Sequence, residues 1–341
     1  MGIKIGGEFE ITPNLIHGFE KFDNRNDSFL FSSGRAALMQ ILKIIKTNTK
    51  TKSLIYLPYY ICSSVVEVCK KQKYNIRFYE LDQNFLFNID YLEKIETHSV
   101  LLTLNYFGFV NDNYIVQNIK NKRPDITTIS DNVQSLQQCS KSLADFSFTS
   151  LRKHLPVPDG ALLYSKGIVI KPENDLPENS FFNSKLLGSI AKYNNEKDHI
   201  YLNHFEEGEK LLANEKEITK ASRFSEYTYQ NYDFKKYNDI REENYFKVYE
   251  LGSKIGLNFI FPYTKGITPL CVPILLEKRN DIRKKLFKRN IFLPIHWPLD
   301  YYNENSDLSN KMAKHELSLL IDHRYSLNEI EYQLNELKKH L

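Results

Sequence analysis

Short apolar segments alternate with helical patterns through the first half of the chain. Apolar residues recur at helical spacing after Gly34, with Leu38 and Leu42 on one face, and similar patterns occupy 63–73 and 113–121. Apolar runs bounded by turn residues predict strands at 53–58, 75–81, 100–108, 127–131, 146–150 and 161–165. This alternation predicts a mostly parallel sheet covered by helices, with polar chemistry at the carboxyl ends of the strands.

The second half of the chain has a different pattern. Residues from about 179 to 251 are helical and highly charged, and a smaller α+β unit follows. Its predicted elements are a strand at 267–276, a helix at 281–289, a strand at 292–296 and a helix at 327–339. We therefore expect a large domain at 1–205, a helical connection at 206–250 and a small C-terminal domain at 251–341.

Charge is spread evenly along the chain, with 46 basic and 42 acidic residues and no sustained basic stripe. Nucleic-acid binding is therefore not expected. The densest basic cluster, within 278–289, carries Ile282 and Leu286 at helical spacing. We interpret this cluster as the solvated face of an amphipathic helix.

The N-terminal segment lacks the apolar run of a signal peptide, and no stretch of about 18 apolar residues occurs. These features predict a cytoplasmic protein that does not bind membranes. The four cysteines, Cys62, Cys69, Cys139 and Cys271, form no CxxC pair, so we expect reduced, mostly buried thiols and no metal site.

Three groups of polar residues stand at the ends of predicted strands or at the start of a predicted helix. Lys153 alone has the pattern of a solvated surface lysine, but Asp131 ends another apolar strand and Gln134 follows it. Ser33 and Gly34 stand at the start of a helix, where backbone N–H groups are unpaired. An imine-forming lysine, a carboxylate for a pyridinium nitrogen and a helix N-terminus for a phosphate are what a pyridoxal-phosphate site requires.

A series of short motifs runs in order along nearly the whole chain. They are Ile5-Gly-Gly-Glu-Phe-Glu, Ser33-Gly-Arg-Ala-Ala-Leu, Tyr56-Leu-Pro-Tyr-Tyr-Ile-Cys, Leu104-Asn-Tyr-Phe-Gly, Ser130-Asp-Asn-Val-Gln, Ala144-Asp-Phe-Ser-Phe-Thr-Ser-Leu-Arg-Lys, Pro158-Asp-Gly, Arg241-Glu-Glu-Asn-Tyr, His296-Trp-Pro and Ile321-Asp-His-Arg-Tyr. In order and spacing, this series resembles the DegT/DnrJ/StrS family of sugar aminotransferases, and especially a shorter branch of it. These are pyridoxal-phosphate enzymes of fold type I, with a mostly parallel sheet in a large domain and a smaller α+β C-terminal domain.

The resemblance implies a role for each matching residue. Lys153 would bind pyridoxal 5'-phosphate covalently and move a proton between two carbons. Asp131 would pair with the ring nitrogen, and Gln134 would lie near the phenolic oxygen. The phosphate would be held by Ser33, Gly34, Arg35 and Ser150.

Two positions depart from the family pattern. Arg35 replaces a smaller residue, so its side chain either clamps the phosphate or faces outwards. Cys62 stands where many relatives place an aromatic ring that stacks on the cofactor. The resemblance therefore leaves Tyr59 and Tyr60 as candidates for that stacking.

Several further residues can each be interpreted in two ways. His154 follows Lys153, and adjacent residues of an extended segment point in opposite directions, which argues against a role in catalysis. Trp297 either lines the mouth of a substrate pocket or closes the interface between domains. Arg241 and Arg324 either meet an acidic substrate group or form ordinary salt bridges.

The expected function is the transfer of an amino group from glutamate or glutamine to a nucleotide-linked keto-sugar, in surface-polysaccharide or amino-sugar biosynthesis. The family forms its sites between two subunits, so the resemblance also implies a homodimer. One alternative is a pyridoxal-phosphate enzyme with another reaction, on a small phosphorylated ketone or an amino acid. Another is a non-catalytic binding protein. No Ser-His-Asp order, HExxH, P-loop or GxGxxG motif is present, which argues against common hydrolases, zincins, kinases and dinucleotide enzymes.

Overall fold

The computed structural model describes residues 3–11, 28–48, 51–167, 170, 176–298 and 306–341. Its strands are β1 (Ile5–Gly6), β2 (Ser28–Phe31), β3 (Leu54–Pro58), β4 (Asn75–Tyr79), β5 (Val100–Leu104), β6 (Thr127–Asp131), β7 (Phe146–Phe148), β8 (Ala161–Ser165), β9 (Asn258–Phe259), β10 (Cys271–Leu275), β11 (Ile291–Phe292) and β12 (Glu316–Leu320). Its helices are α1 (Gly34–Asn48), α2 (Ser63–Lys71), α3 (Asn113–Lys122), α4 (Leu136–Cys139), α5 (Phe182–Tyr193), α6 (Asp198–Asn214), α7 (Arg223–Gln230), α8 (Phe234–Lys254), α9 (Arg279–Phe287), α10 (Asp307–His315) and α11 (Leu327–Lys338).

A seven-stranded sheet in the order β2-β8-β7-β6-β5-β3-β4 organises the first half of the chain. The strands from β4 to β7 are parallel to their neighbours, whereas β8 is antiparallel to both β7 and β2. This arrangement confirms the predicted mostly parallel sheet. Because β5, β6 and β7 run in the same direction, the loops that follow them meet at one edge.

The central strands are apolar along their whole length because helices cover the sheet. Every residue of β3 and β5 is buried, and α1 and α2 pack against each other in the core of this half. Burying a Leu, Ile or Val side chain contributes about 1.5–3 kcal/mol each. The resulting rigid sheet fixes the positions of the loops at its carboxyl edge.

A second core forms around the antiparallel sheet β12-β10-β9 in the C-terminal half. Helices α8 and α11 pack against each other beside it. The N-terminal strand β1 also belongs here, because Ile5 pairs in parallel with Ile291 of β11. The smaller α+β unit of the C-terminal half is therefore confirmed.

Strand β12 was missed by the apolar pattern because two of its buried residues are polar. Glu316 and Ser318 are both fully buried. The Glu316 carboxylate accepts hydrogen bonds from the backbone N–H of His296 at 2.7 Å and from the hydroxyl of Ser318 at 2.5 Å. Polar residues that satisfy each other inside a core carry no apolar signal in the sequence.

The predicted domain boundaries stay a prediction. Helix α6 continues through the first boundary, between residues 205 and 206. Helix α8, which forms the last part of the predicted connection, packs on α11 of the C-terminal half and contributes Tyr245 and Val248 to its core.

The basic cluster of α9 is only partly solvated. Arg279 is buried and donates hydrogen bonds to the carbonyl oxygens of Glu316 at 2.7 Å and Ala313 at 2.8 Å, and Arg283 donates to that of Leu293 at 2.8 Å. The other basic side chains of the cluster are exposed. The solvated-face interpretation is therefore wrong for these two arginines, which satisfy carbonyl groups at strand and helix ends.

All four cysteines are free, and Cys69, Cys139 and Cys271 are buried, as predicted. Within the described ranges, no helix has both the length and the apolar character needed to span a bilayer.

Candidate active site

A cavity of about 310 Å³ lies at the carboxyl edge of the large sheet, beside the ends of β5, β6 and β7. Leu104, Asp131 and Phe148, the last residues of these three strands, contribute to its wall. The sequence-predicted residues that line it are Ser33, Gly34, Arg35, Cys62, Asp131, Gln134, Ser150 and Lys153. The fold thus brings together residues that are more than a hundred positions apart.

Asp131 is a buried carboxylate at the end of β6, with an exposed fraction of 3%. Burial raises its pKa to about 6, while the N–H of Val133, which donates to Oδ1 at 2.9 Å, and the charge of Lys153 oppose the rise. Its Oδ2 atom accepts no hydrogen bond within the described part of the chain. A cationic partner inside the cavity would restore the ordinary acidity of this group.

Lys153 ends a short 3₁₀ turn, Leu151–Lys153, directly after β7. The N–H of Leu151 donates to the carbonyl of Gly160 at 2.9 Å, which ties this turn to the Pro-Asp-Gly motif. Gly160 has a φ of +114°, and a Cβ there would lie 3.0 Å from the Leu151 side chain. A glycine is required for this close approach.

Asp159 of the same motif is a structural acceptor. Its buried carboxylate accepts hydrogen bonds of 2.7 Å from the Asn179 amide and from both the N–H and the hydroxyl of Ser222, and another from the Ser225 hydroxyl. The N–H of the following glycine donates to the Ser32 carbonyl at 2.6 Å. This network connects the 3₁₀ turn that carries Lys153 to Ser32, which lies just before the N-terminus of α1.

The N-terminus of α1 opens into the cavity. The Ser33 hydroxyl accepts a hydrogen bond from the Ala36 N–H at 3.1 Å, which caps the helix. The N–H groups of Gly34 and Arg35 precede the first possible intrahelical bond and stay available. A Cβ on Gly34 would lie 3.5 Å from Val133 and 3.8 Å from Ser150, both of which line the cavity. Unpaired backbone N–H groups at the positive end of a helix dipole favour the binding of a phosphate.

Three buried side-chain donors in the wall have no hydrogen-bond partner among the described residues. They are Nε of Arg35, Nε of Arg152 and Nε2 of Gln134. The Gln134 Oε1 atom accepts from the Phe107 N–H at 2.8 Å, which leaves its amide nitrogen as the free donor. Unpaired buried donors are costly, so this wall suits a ligand with acceptor oxygens.

Solved structures share this arrangement of elements at low sequence identity. The Helicobacter pylori PseC, an aminotransferase involved in pseudoaminic acid biosynthesis, has 12% identity and a TM-score of 0.64 over 99% of both chains. The aminotransferase TlmJ from Streptoalloteichus hindustanus has 14% identity and a TM-score of 0.65 over 92% of this chain and 85% of its own. The Bacillus subtilis NtdA with bound pyridoxamine phosphate has 15% identity and a TM-score of 0.61 over 92% and 73%.

The chain has the type I aminotransferase fold. This likeness confirms the fold that the motif resemblance implied. Neither a family model nor a curated protein matches the sequence.

The turn after β3 places Cys62, and not a tyrosine, in the wall of the cavity. The Cys62 sulfur lies 3.2 Å from the Ser64 hydroxyl. Tyr60 is fully buried and does not line this cavity, and Tyr59 stacks on Phe78 with ring centroids 5.5 Å apart. Tyr60 therefore packs in the core, Tyr59 is half-buried beside Phe78, and neither lines the cavity.

Besides Phe148, the wall contains an aromatic ring from the C-terminal half of the chain. Trp297 lines the cavity and is only 9% exposed. Its ring packs against Tyr60 at a centroid distance of 5.2 Å and against Tyr106 at 6.4 Å. Trp297 thus combines the two readings of the sequence, since it lines the cavity and packs into the large-domain core.

Sequence reasoning missed an ion-pair cluster in the same wall. Arg152 and Glu209 line the cavity, and the Glu209 Oε1 atom lies 3.0 Å from Nη1 of Arg152 and 2.7 Å from Nζ of buried Lys185. Burial raises the pKa of the Glu209 carboxyl, but the charges of the two cations outweigh it and hold that pKa at about 2. No local motif marks Glu209, which belongs to a charged surface helix.

His154 turns away from Lys153, as expected, and lines a different cavity. Its Nε2–H donates to the Val133 carbonyl at 3.1 Å, and burial lowers the pKa of the ring to about 3. Arg324 forms an ordinary ion pair with Asp322, with contacts of 2.7 and 2.9 Å. Within the described residues, no group of three or more potential ligands could hold a metal ion.

Proposed function

We propose that this chain is a pyridoxal-phosphate-dependent aminotransferase that passes an amino group from glutamate or glutamine to a keto-sugar. The observation that carries the proposal is one cavity lined by Lys153, Asp131 and the N-terminus of α1. The unpaired donors of Arg35 and Gln134 fit the oxygens of the cofactor. Pyridoxal phosphate, when bound, supplies an electron-withdrawing ring that stabilises negative charge beside the transferred nitrogen.

Each residue of the cavity has a distinct task in this proposal. Lys153 would hold the cofactor covalently, and its released amino group would take a proton from the donor carbon and deliver it to the carbon on the other side of the transferred nitrogen. The buried Asp131 carboxylate keeps the ring nitrogen protonated. Gly34 and Arg35 hold the phosphate through backbone N–H groups, and the Arg35 side chain adds a positive charge.

The acceptor side of the proposal rests on two supports. The fold neighbours include PseC, named for the biosynthesis of pseudoaminic acid. The wall also contains the flat ring of Trp297 and the fixed carboxylate of Glu209, whose Oε2 atom accepts no hydrogen bond within the described ranges. An apolar ring face and a free carboxylate oxygen suit a hydroxylated sugar. We place the reaction in amino-sugar or surface-polysaccharide biosynthesis, in a cytoplasmic homodimer.

The test uses the visible absorbance of the purified protein with added pyridoxal phosphate. We expect a yellow protein that glutamate or glutamine bleaches and a nucleotide-linked keto-sugar restores. Lys153→Ala should lose the covalent absorbance and the turnover, and Lys122→Ala, at an exposed lysine, should keep both.

Other outcomes identify the alternatives. Colour that persists with glutamate and glutamine but changes with another amine indicates a different pyridoxal-phosphate reaction. A protein that takes up no cofactor is a non-catalytic binding protein.

A further inference from the structure

A second cavity, of about 120 Å³, lies on the other side of the segment that carries Gln134. Val133 and Gln134 line the first cavity, whereas 135–138 line the second. Lys153 and the residue after it are separated in the same way, since Lys153 lines the first cavity and His154 lines the second. The proposed function assigns no task to this second cavity.

Arg241 of α8 brings a buried positive charge to the second cavity. The residue is 5% exposed, and its Nη1 donates to the carbonyls of Leu270 at 3.0 Å and Pro269 at 3.4 Å. Its Nε and Nη2 atoms have no hydrogen-bond partner among the described residues. Burial lowers the pKa of this guanidinium, although the group stays charged.

The carboxylate of Asp322 acts on Arg241 without a direct contact. Asp322 contributes a favourable charge, but its two oxygens accept hydrogen bonds from Arg324 at 2.7 and 2.9 Å. No acidic side chain occurs among the described residues that line the second cavity. The remaining donors of this guanidinium are thus open to the cavity, and a charge held at a largely buried residue without a direct counter-ion favours an anion there.

The rest of the wall adds donors and further positive charge. Lys141 lines the cavity, together with the two imidazoles of His154 and His323. Burial lowers the pKa of His154 to about 3 and that of His323 to about 4, so both rings are neutral at neutral pH. The Tyr232 hydroxyl lies 3.2 Å from Nδ1 of His323. The wall therefore attracts anions and offers hydrogen-bonding groups on several sides.

We propose that the second cavity binds a small oxyanion, the phosphate or carboxylate group of a small molecule, with Arg241 as its charged partner. One water needs roughly 10–15 Å³ of such space, so the volume admits a group of several atoms. His154 bonds to the Val133 carbonyl and follows Lys153 in the chain. The anion therefore lies behind the two loops that carry Gln134 and Lys153, on the side away from the first cavity. This inference does not depend on the proposed function.

The experiment titrates sodium phosphate, and separately sodium acetate, into the full chain at constant ionic strength. Excess pyridoxal phosphate is present to occupy the α1 N-terminus. Calorimetry measures the affinity, and ¹⁵N-detected imidazole signals report on His154 and His323. We expect one bound anion per chain and shifted signals of both histidines. The stronger of the two anions identifies the group that the cavity prefers.

Gln138→Glu is the decisive variant, because it places a carboxylate in the wall at a side chain without hydrogen bonds in the described structure. Anion binding should weaken at least tenfold. Gln117→Glu, which adds the same charge at an exposed position of α3, should bind as the parent does. Lys141→Ala should weaken binding severalfold, and it serves as the test if Gln138→Glu lowers the melting temperature.

The inference is overturned if neither anion binds, or if binding is equally strong in the parent and in both cavity variants. The second result would place the anion elsewhere, for instance at the N-terminus of α1.

Discussion

The ammonium group of Lys153 stabilises the charged form of the Asp131 carboxylate within one cavity. Asp131 ends β6 and Lys153 comes after the adjacent parallel strand β7, whose Phe148 pairs in register with Asp131. Any shift in this register would separate the amino group from the carboxylate. The chemistry that we propose therefore depends on the pairing of two strands.

The raised pKa of Asp131 predicts a pH-dependent loss of stability in the cofactor-free protein. The pKa rises on folding from 3.8 to about 6, so the folded state binds the proton more tightly. Stability is full below the unfolded value and falls as the pH rises through about 6. A shift of about two pKa units corresponds to about 3 kcal/mol at pH 7.

Asp131→Asn should remove this penalty, because the amide is neutral and its oxygen still accepts from Val133. Urea unfolding should show the variant more stable than the parent by up to about 3 kcal/mol near pH 7, and nearly equal near pH 4. Turnover should fall at least 100-fold. Equal stability of the two proteins at both pH values would contradict a costly buried charge.

Gly34→Ala should separate cofactor binding from stability. The added Cβ meets ordinary contacts of 3.5–3.8 Å with Val133, Phe148 and Ser150, so the fold accommodates it. The same methyl group occupies the space over the helix end that a phosphate needs. We expect at least tenfold weaker binding of pyridoxal phosphate with an unchanged or slightly higher melting temperature, since Ala suits a helix better than Gly.

Ser33→Ala is the complementary variant at the same helix end. It removes the cap on the Ala36 N–H, so the free energy of unfolding should fall by about 1 kcal/mol. If Gly34→Ala bound the cofactor as tightly as the parent, the phosphate would not lie at this helix end.

Trp297 offers a direct optical test of the first cavity. It is the only tryptophan of the chain, and it lines the wall. Binding of pyridoxal phosphate should quench the tryptophan fluorescence in step with the visible absorbance. Trp297→Phe should lose the fluorescence signal and keep the absorbance. Visible colour without any quenching in the parent would place the cofactor away from this ring.

Asp159→Ala should destabilise the protein, because it leaves the donors of Asn179, Ser222 and Ser225 without their buried acceptor. We expect a loss on the order of 3 kcal/mol or more in the free energy of unfolding. Asp239→Ala, at an exposed ion pair of 3.9 Å with Lys235, should change it by less than about 0.5 kcal/mol. A small effect of Asp159→Ala would show that water replaces the carboxylate.

The sequence predicted the elements whose signal is local. Strands β3, β5 and β6 are apolar because both faces of the sheet are covered, so their runs stand out between turn residues. Strand β2 was not predicted, since four residues on the antiparallel edge carry too little pattern. Strand β12 was not predicted, because Glu316 and Ser318 are polar residues inside a buried strand. Their hydrogen bond, which satisfies them there, is visible only in the folded structure.

The residues of the candidate site also fall into two groups, those that the sequence marks and those that only the fold brings to the cavity. Lys153, Asp131 and Ser33 stand at strand or helix ends, where the sequence marks them, and the structure places them in one cavity. Glu209 comes from the side of a charged helix, and only tertiary packing brings it to the wall. Tyr60 lies two residues after β3 and is buried in the core, which a count of residues along the turn does not reveal.

The parallel pairing of Ile5 with Ile291 has a consequence for biosynthesis. The ribosome makes β1 first, but its partner β11 emerges only after the whole large sheet has been synthesised. During translation, the start of the chain must remain available while β2 to β8 fold beside it. Strand β1 is thus among the last strands to pair, and its pairing with β11 ties it to the C-terminal half of the fold.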